Sequence, residues 1–200
     1  TGCVYTPWRP CQLDYSKKIK GIDVIFLYTG NVYGLRHVRA LLKGFRLFVK
    51  EEPKAKLVFV GSKIAKDLEP YQDLVKGGRI EVHGFTKDLD SFLVNADVLI
   101  DIGADVENDV FLSSKIVNYL ILEKPILSIT GTGSPSRLMM GGVKSIIHCD
   151  HKPEEICNAM CRAVAQKDQP VQDRDELIST FDPQNVAKRF IDDIDRIIEG

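Results

Sequence analysis

The residues of this chain best placed to do chemistry lie between Ser113 and Ser136. Ser113 and Ser114 precede a run with apolar spacing, and either hydroxyl can accept a bond from an unpaired first-turn N–H of a helix. Lys115 follows at the mouth of that helix. A cation beside such N–H groups is chemistry suited to an anion such as phosphate. The same residues also suit an ordinary strand–helix unit with a polar cap, and residue types alone leave both readings open. A second group, of metal-ligating type, is His148, Cys149 and His151, with Cys157 and Cys161 beyond. Cys157 and Cys161 stand one helical turn apart. No tight Cys-x2-Cys knuckle accompanies them, so the expectation is free thiols and no metal. The chain has no Ser-His-Asp order and no nucleophile elbow. It also has no Gly-x-Gly-x-x-Gly after its first strand and no Walker lysine pattern, which argues against a dinucleotide dehydrogenase and a P-loop enzyme.

These residues need a scaffold, and the hydrophobic pattern supplies one. Short apolar runs at 22–29, 56–60, 79–83, 96–102, 125–129 and 145–149 read as strands. Helical spacing is predicted over 35–50, 64–75, 87–95 and 153–166, and from the serines at 113–114. Another helix follows the glycine-rich turn near 131–136. A last helical region spans about 173–199, broken near Asp182 and Pro183. Strands alternating with helices imply an α/β fold: a Rossmann-like parallel sheet of about six strands with helices on both faces. Right-handed crossovers put all strand C-terminal ends on one edge, where such sheets bind ligands. The loops at 30–36, 61–63, 83–86, 101–114 and 130–136 therefore share that edge.

Composition bounds the partners. A net charge of −1 over 200 residues argues against a general nucleic-acid binder. No apolar run approaches a membrane span, and the opening residues have neither the basic region nor the apolar core of a signal peptide. The chain opens on Thr1, the start expected of a fragment or processed form. Five scattered cysteines suit reduced thiols in a cytoplasmic setting better than a disulfide framework. Residues 1–20, with Pro7, Pro10 and a basic run but no period, read as an interdomain linker or entry segment. Residues 21–200 read as the binding domain.

The stretch Ser114, Lys115, Asn118, Tyr119, Leu120, Glu123, Lys124, Pro125, Ile126 resembles a motif of retaining glycosyltransferases of the GT-B fold, of the family-4 (group 1) type. That motif lies in their C-terminal, donor-binding half. Gly131, Gly133, Ser134, Pro135 and Ser136 resemble the family's next loop. The segment Tyr28 to Arg36 resembles its first donor-domain loop, in which a glycine is followed by cations that meet the donor diphosphate. The shorter landmarks Val60-Gly61 and His83-Gly84-Phe85-Thr86 fall in the family's order. The resemblance covers roughly residues 22–149.

By that resemblance Gly30, Asn31, Arg36, Ser113, Ser114 and Lys115 would bind the diphosphate. Gly61, His83, Gly84, Phe85, Thr86 and Asn118 would hold the base and ribose. Departures accompany it. Asn31 stands where members often carry a second Arg. Val110 and Asn118 stand where many carry two glutamates, with Glu107 and Asp109 as nearby acids. Glu123 stands where a glycine is usual. No catalytic residue is assigned within the chain. The implied activity is hexosyl transfer from a nucleoside-diphosphate sugar, of the UDP-sugar type, in cell-surface polysaccharide or glycoconjugate synthesis. It needs no metal or other cofactor. The acceptor domain would be a missing N-terminal half, through which peripheral membrane association could arise, and this half alone is expected not to turn over. Two other readings are a non-catalytic nucleotide-binding or scaffold domain and half of a nucleotide-sugar epimerase-like protein.

Overall fold

A computed structural model describes residues 24–107 and 109–199. The predicted linker at 1–20 lies outside the described residues, as do the first two residues of the strand expected at 22–29. Six strands are present: β1 (Ile25–Thr29), β2 (Lys56–Val60), β3 (Ile80–His83), β4 (Val98–Ile102), β5 (Ile126–Ile129) and β6 (Ile146–Cys149). They form one sheet in the order β3-β2-β1-β4-β5-β6, every pair parallel. β1, β4 and β5 are buried along their whole length, as strands covered on both faces must be.

The crossovers carry helices α1 (Arg39–Glu51), α2 (Gln72–Lys76), α3 (Asp90–Asn95), α4 (Ser114–Tyr119) and α5 (Pro135–Met140). Helices α6 (Pro153–Val164), α7 (Asp175–Phe181) and α8 (Pro183–Glu199) follow β6. On one face Leu41, Phe45 and Phe48 of α1 and Ile156, Ala159 and Met160 of α6 pack on Phe26, Phe59 and Ile100. α1 and α6 approach so closely at Gly44 that a Cβ there would lie 2.8 Å from the Ile156 side chain. On the other face Ile116, Val117 and Leu120, with Met140, pack on Leu27, Leu99 and Ile126. Alternate residues of each strand thus feed two cores, the period-2 rule of a pleated sheet.

Two helices differ from expectation. The helix expected from residue 35 starts at Arg39, because Gly34, at φ +64, and Leu35 form a turn closed by the Arg36 N–H donating to the Tyr33 carbonyl at 3.3 Å. The helix expected over 64–75 divides into a 3₁₀ turn, Ala65–Tyr71, followed by α2. Pro70 lies inside that segment. It has no N–H to donate and disfavours α geometry in the residue before it.

Behind the sheet, a buried guanidinium closes the structure. Arg174 donates to the carbonyls of Tyr119, Leu122, Lys124 and Ser145 at 3.4, 3.0, 2.8 and 2.9 Å. Its Nε donates to the Ser145 hydroxyl at 2.8 Å. Tyr119, Leu122 and Lys124 lie at the end of α4 and in the turn into β5, and Ser145 stands just before β6. Arg174 thus ties the far end of the helix that begins with Ser114 to the start of the neighbouring strand. Among the described residues no helix is long and apolar enough to cross a membrane.

Candidate functional site

The sheet order reverses between β1 and β4, which opens a crevice at their C-terminal ends. Gly30 follows β1 at φ +96, and its N–H continues the sheet by donating to the Val60 carbonyl at 2.8 Å. The Ser62 hydroxyl donates to the Gly30 carbonyl at 2.6 Å and pins the loop. The aliphatic end of Lys115 lies directly against Gly30: a Cβ on that glycine would be 3.7 Å from Lys115 Cδ and 3.9 Å from Nζ. The ammonium sits 5.2 Å from the centre of the Tyr28 ring, a cation–π arrangement. Arg36 lies over the Tyr33 ring at 5.0 Å, and its buried Nε has no partner among the described residues. Burial draws the pKa of Lys115 down, with Asp101 opposing and Arg36 adding to that shift. The two predicted diphosphate cations are therefore brought within electrostatic reach of one another.

Below them lies a group that sequence reasoning missed. Asp101 is fully buried near the C-terminal end of β4, and neither carboxylate oxygen has a well-formed hydrogen bond among the described residues. Burial raises its pKa. The Ser113 hydroxyl, facing it too loosely for standard geometry, together with Lys115 and Arg36, pulls the other way. The signal was a lone acid inside the apolar strand VLIDI. Tyr119, also buried, shares a 2.7 Å hydrogen bond with the Thr29 hydroxyl, and the Thr29 N–H donates to its phenol at 3.3 Å. That contact ties α4 to the end of β1, and burial holds the phenols of Tyr119 and Tyr28 far up.

Ser113 occupies the N-cap position of α4, but its side chain makes no capping bond. The capping role expected of Ser113 or Ser114 is thus corrected: Ser113 turns inward to Asp101 and Ser114 is exposed. Asn31 is exposed and offers its carbonyl to the Tyr28 hydroxyl at 3.1 Å. Asn118 is exposed three residues after Lys115, hence on the same face of α4.

The expected base-side residues line the neighbouring strand ends. Gly61, at φ +80, lies 3.7 Å from Gly30 Cα measured from the position of an added Cβ, and its N–H donates to the His83 carbonyl at 2.9 Å. His83 is turned aside: its ring packs on Phe92 at 4.9 Å and its Nε2 meets Glu81 at 3.3 Å. The Thr86 hydroxyl is engaged in its own turn with the N–H of Asp88. Gly84 is exposed, and Phe85 presents its ring to solvent at 87% exposure.

The loop after β4 is held from within. Asp109 accepts the N–H groups of Ala104 and Phe111 at 3.2 and 3.0 Å, so this acid is spent on the backbone. Glu107 is exposed, and Val110 is 77% exposed. Gly131 lies under this loop, where a Cβ would collide with the Val106 carbonyl oxygen. In the second group, Cys149, Cys157 and Cys161 are free, and no three His, Cys, Asp or Glu side chains among the described residues converge to hold a metal.

The family described as "Glycosyl transferases group 1" matches residues 23–166. The chain belongs to the group 1 glycosyl transferases. Compared by sequence with curated proteins, it matches none. Its fold is shared with a glycosyltransferase from Rickettsia africae ESF-5 at TM-score 0.70 and 11% identity, over 88% of this chain and 48% of that one. It is shared with HepE from Anabaena in complex with UDP at TM-score 0.66 and 13% identity, over 88% and 49%. A C-terminal domain of a glycosyl transferase group 1 family protein from Francisella tularensis matches at TM-score 0.58 and 11% identity, over 84% of this chain and 97% of that domain. The chain thus spans about half of the two longer structures and almost all of the isolated domain. Group 1 membership and a six-stranded parallel sheet agree with its identification as a C-terminal donor-binding domain.

Proposed function

We propose that this chain is the donor-binding half of a retaining group 1 glycosyltransferase that transfers a hexose from a nucleoside-diphosphate sugar. The observation that carries this reading is the placement of Lys115 against Gly30, with Arg36 in reach, at the crevice between β1 and β4. In sugar transfer, negative charge grows on the diphosphate as it leaves. Cations fixed at that point bind it more tightly in the transition state than before, and so lower the barrier. Tyr119, Ser62 and Gly30 hold the crevice in shape through the contacts described. Asn118, on the Lys115 face of α4, would take the ribose hydroxyls, and the loop from His83 to Thr86 the base. HepE was solved with UDP, which supports a uridine nucleotide as the first ligand to try. The reading carries with it a cell-surface polysaccharide or glycoconjugate as product, residues 1–20 as the interdomain connection and 21–200 as the donor domain. It also places the acceptor on a further domain and the protein in the cytoplasm.

A second reading is favoured by one observation: Asp109 is consumed by backbone contacts while Val110 stands exposed beside it. On that reading the chain binds nucleotide without supplying an acid. Calorimetric titration with UDP, GDP, ADP and free uridine tests the common part. Binding of one diphosphate well above its nucleoside supports a donor site, and equal failure of all three diphosphates overturns it. Transfer or hydrolysis of the matching nucleotide sugar by the full protein then separates the two readings.

A further inference from the structure

We infer that Asp101 is a positioning residue: it is the internal counter-ion that holds Lys115 at the crevice, and it takes up a proton when a donor diphosphate takes the lysine over. This rests on the reading of Lys115 and Arg36 as diphosphate contacts. Asp101 is the one acid within β4, and its side chain is on the α4 side of the sheet, since Ile100 and Ile102 belong to the opposite core. It is completely buried, with both oxygens lacking a well-formed hydrogen bond among the described residues. A buried carboxylate persists only where nearby charge compensates it. The groups that act on it are Ser113 and Lys115 at the start of α4, Arg36 from the loop after β1, the backbone N–H of Ile102 in its own strand, and the phenols of Tyr28 and Tyr119.

Of these, Lys115 is only partly buried, and its aliphatic end rests on Gly30. It can therefore meet an anion above without leaving its helix. A diphosphate arriving there brings negative charge and draws the ammonium to itself. Asp101 then loses compensation and gains like-charge neighbours, and both changes favour its neutral acid. The proton comes from solvent onto a carboxylate oxygen of Asp101, and no other bond forms or breaks. The two phenols are already protonated, being held far up by burial, so they contribute no proton to the exchange. Binding coupled to one proton tightens by up to about tenfold per pH unit as pH falls through the window between the free and bound pKa values of Asp101.

The experiment is calorimetric titration of UDP into the protein at pH 7.5 in PIPES, HEPES and Tris, whose ionisation enthalpies differ. The slope of heat against ionisation enthalpy counts protons taken up. At pH 7.5 the nucleotide's terminal phosphate, with a second pKa of about 6, is already largely ionised in solution, and the uptake is read as the difference between parent and variant. Parent protein should take up most of a proton more than Asp101→Asn. Lys115→Met should bind UDP more weakly and show the same loss of uptake, because Asp101 without its lysine is already neutral. UDP binding with equal uptake in parent and Asp101→Asn overturns the inference and leaves the diphosphate site standing, with any shared proton on Lys115 or on the nucleotide. Absence of binding by UDP, GDP and ADP to the parent overturns the donor reading itself, and the inference with it.

Discussion

Lys115 is held by contacts of different kinds: Gly30 beneath its chain, the Tyr28 ring beside its ammonium and the charge of Asp101 below. A charge-assisted hydrogen bond contributes roughly 1.5–3 kcal/mol. Lys115→Ala is therefore expected to weaken nucleoside-diphosphate binding by about tenfold or more while leaving nucleoside binding nearly unchanged. Titration calorimetry on both ligands reads the two effects separately, and an undiminished diphosphate affinity would make Lys115 an ordinary surface charge. His148 offers a different residue-scale expectation. It is half-buried in β6, and burial, with Arg137 nearby, pushes its imidazole from 6.5 down to about 4. The unfolded chain thus accepts a proton that the folded chain refuses. The folded state keeps its full advantage above about pH 6.5 and loses it as pH falls toward 4. The loss is ~1–3 kcal/mol, allowing for partial exposure. Urea unfolding at pH 7 and pH 5 should show a smaller drop in His148→Gln than in the parent, and equal drops would exclude His148 as the cause.

At the scale of elements, α4 is short and depends on what grips its two ends. Tyr119 binds it to β1, and Arg174 donates to the carbonyls of Tyr119 and Leu122 at its far end. Arg174→Ala removes five hydrogen bonds from a buried guanidinium and leaves the Lys124 carbonyl without that donor, while the Tyr119, Leu122 and Ser145 carbonyls each keep a backbone N–H. With bonds to a charged group contributing about 1.5–3 kcal/mol, a loss above ~3 kcal/mol is expected in denaturant unfolding. Arg174→Lys should recover little, since an ammonium cannot reproduce the planar fork. None of this was legible in the sequence, where Arg174 is a lone arginine in a polar stretch and its partners lie about 30 to 55 positions away. The strands were legible, because runs such as KLVFV and VLIDI are short, apolar and bounded by polar turns. Their C-terminal loops followed from topology, which put the Gly30 loop and the start of α4 on one edge of the sheet. What sequence could not reveal was the direction of each side chain. Ser113 reads as a cap, yet it faces Asp101. The base-side loop could be placed at His83 from the sequence, but not the direction of the His83 ring, which packs on Phe92 and meets Glu81. Those choices turn on side-chain contacts within a strand or across one loop, which hydrophobic periodicity does not encode.

Across the whole molecule, the sheet and its two helical layers are complete without α8, whose described side chains are all exposed, Phe190, Ile194, Ile197 and Ile198 among them. Deleting residues 183–200 is expected to leave the thermal midpoint within a few degrees of the parent, because no core surface is uncovered. A large fall measured by calorimetry would mean that α8 packs where its exposure says it does not. The layer opposite behaves otherwise. There α1 lies against α6 with Gly44 under Ile156, roughly 110 residues later in the chain. A ribosome adding about 5–20 residues per second needs roughly 6–20 s to cross that interval. Throughout it the nascent α1 face, with Leu41, Phe45 and Phe48, awaits its cover by α6, and for the first half of it the edge of β1 awaits β4. Vectorial synthesis therefore exposes the apolar face of α1 early and covers it late, which marks the nascent chain as a client for chaperones that hold open hydrophobic helices.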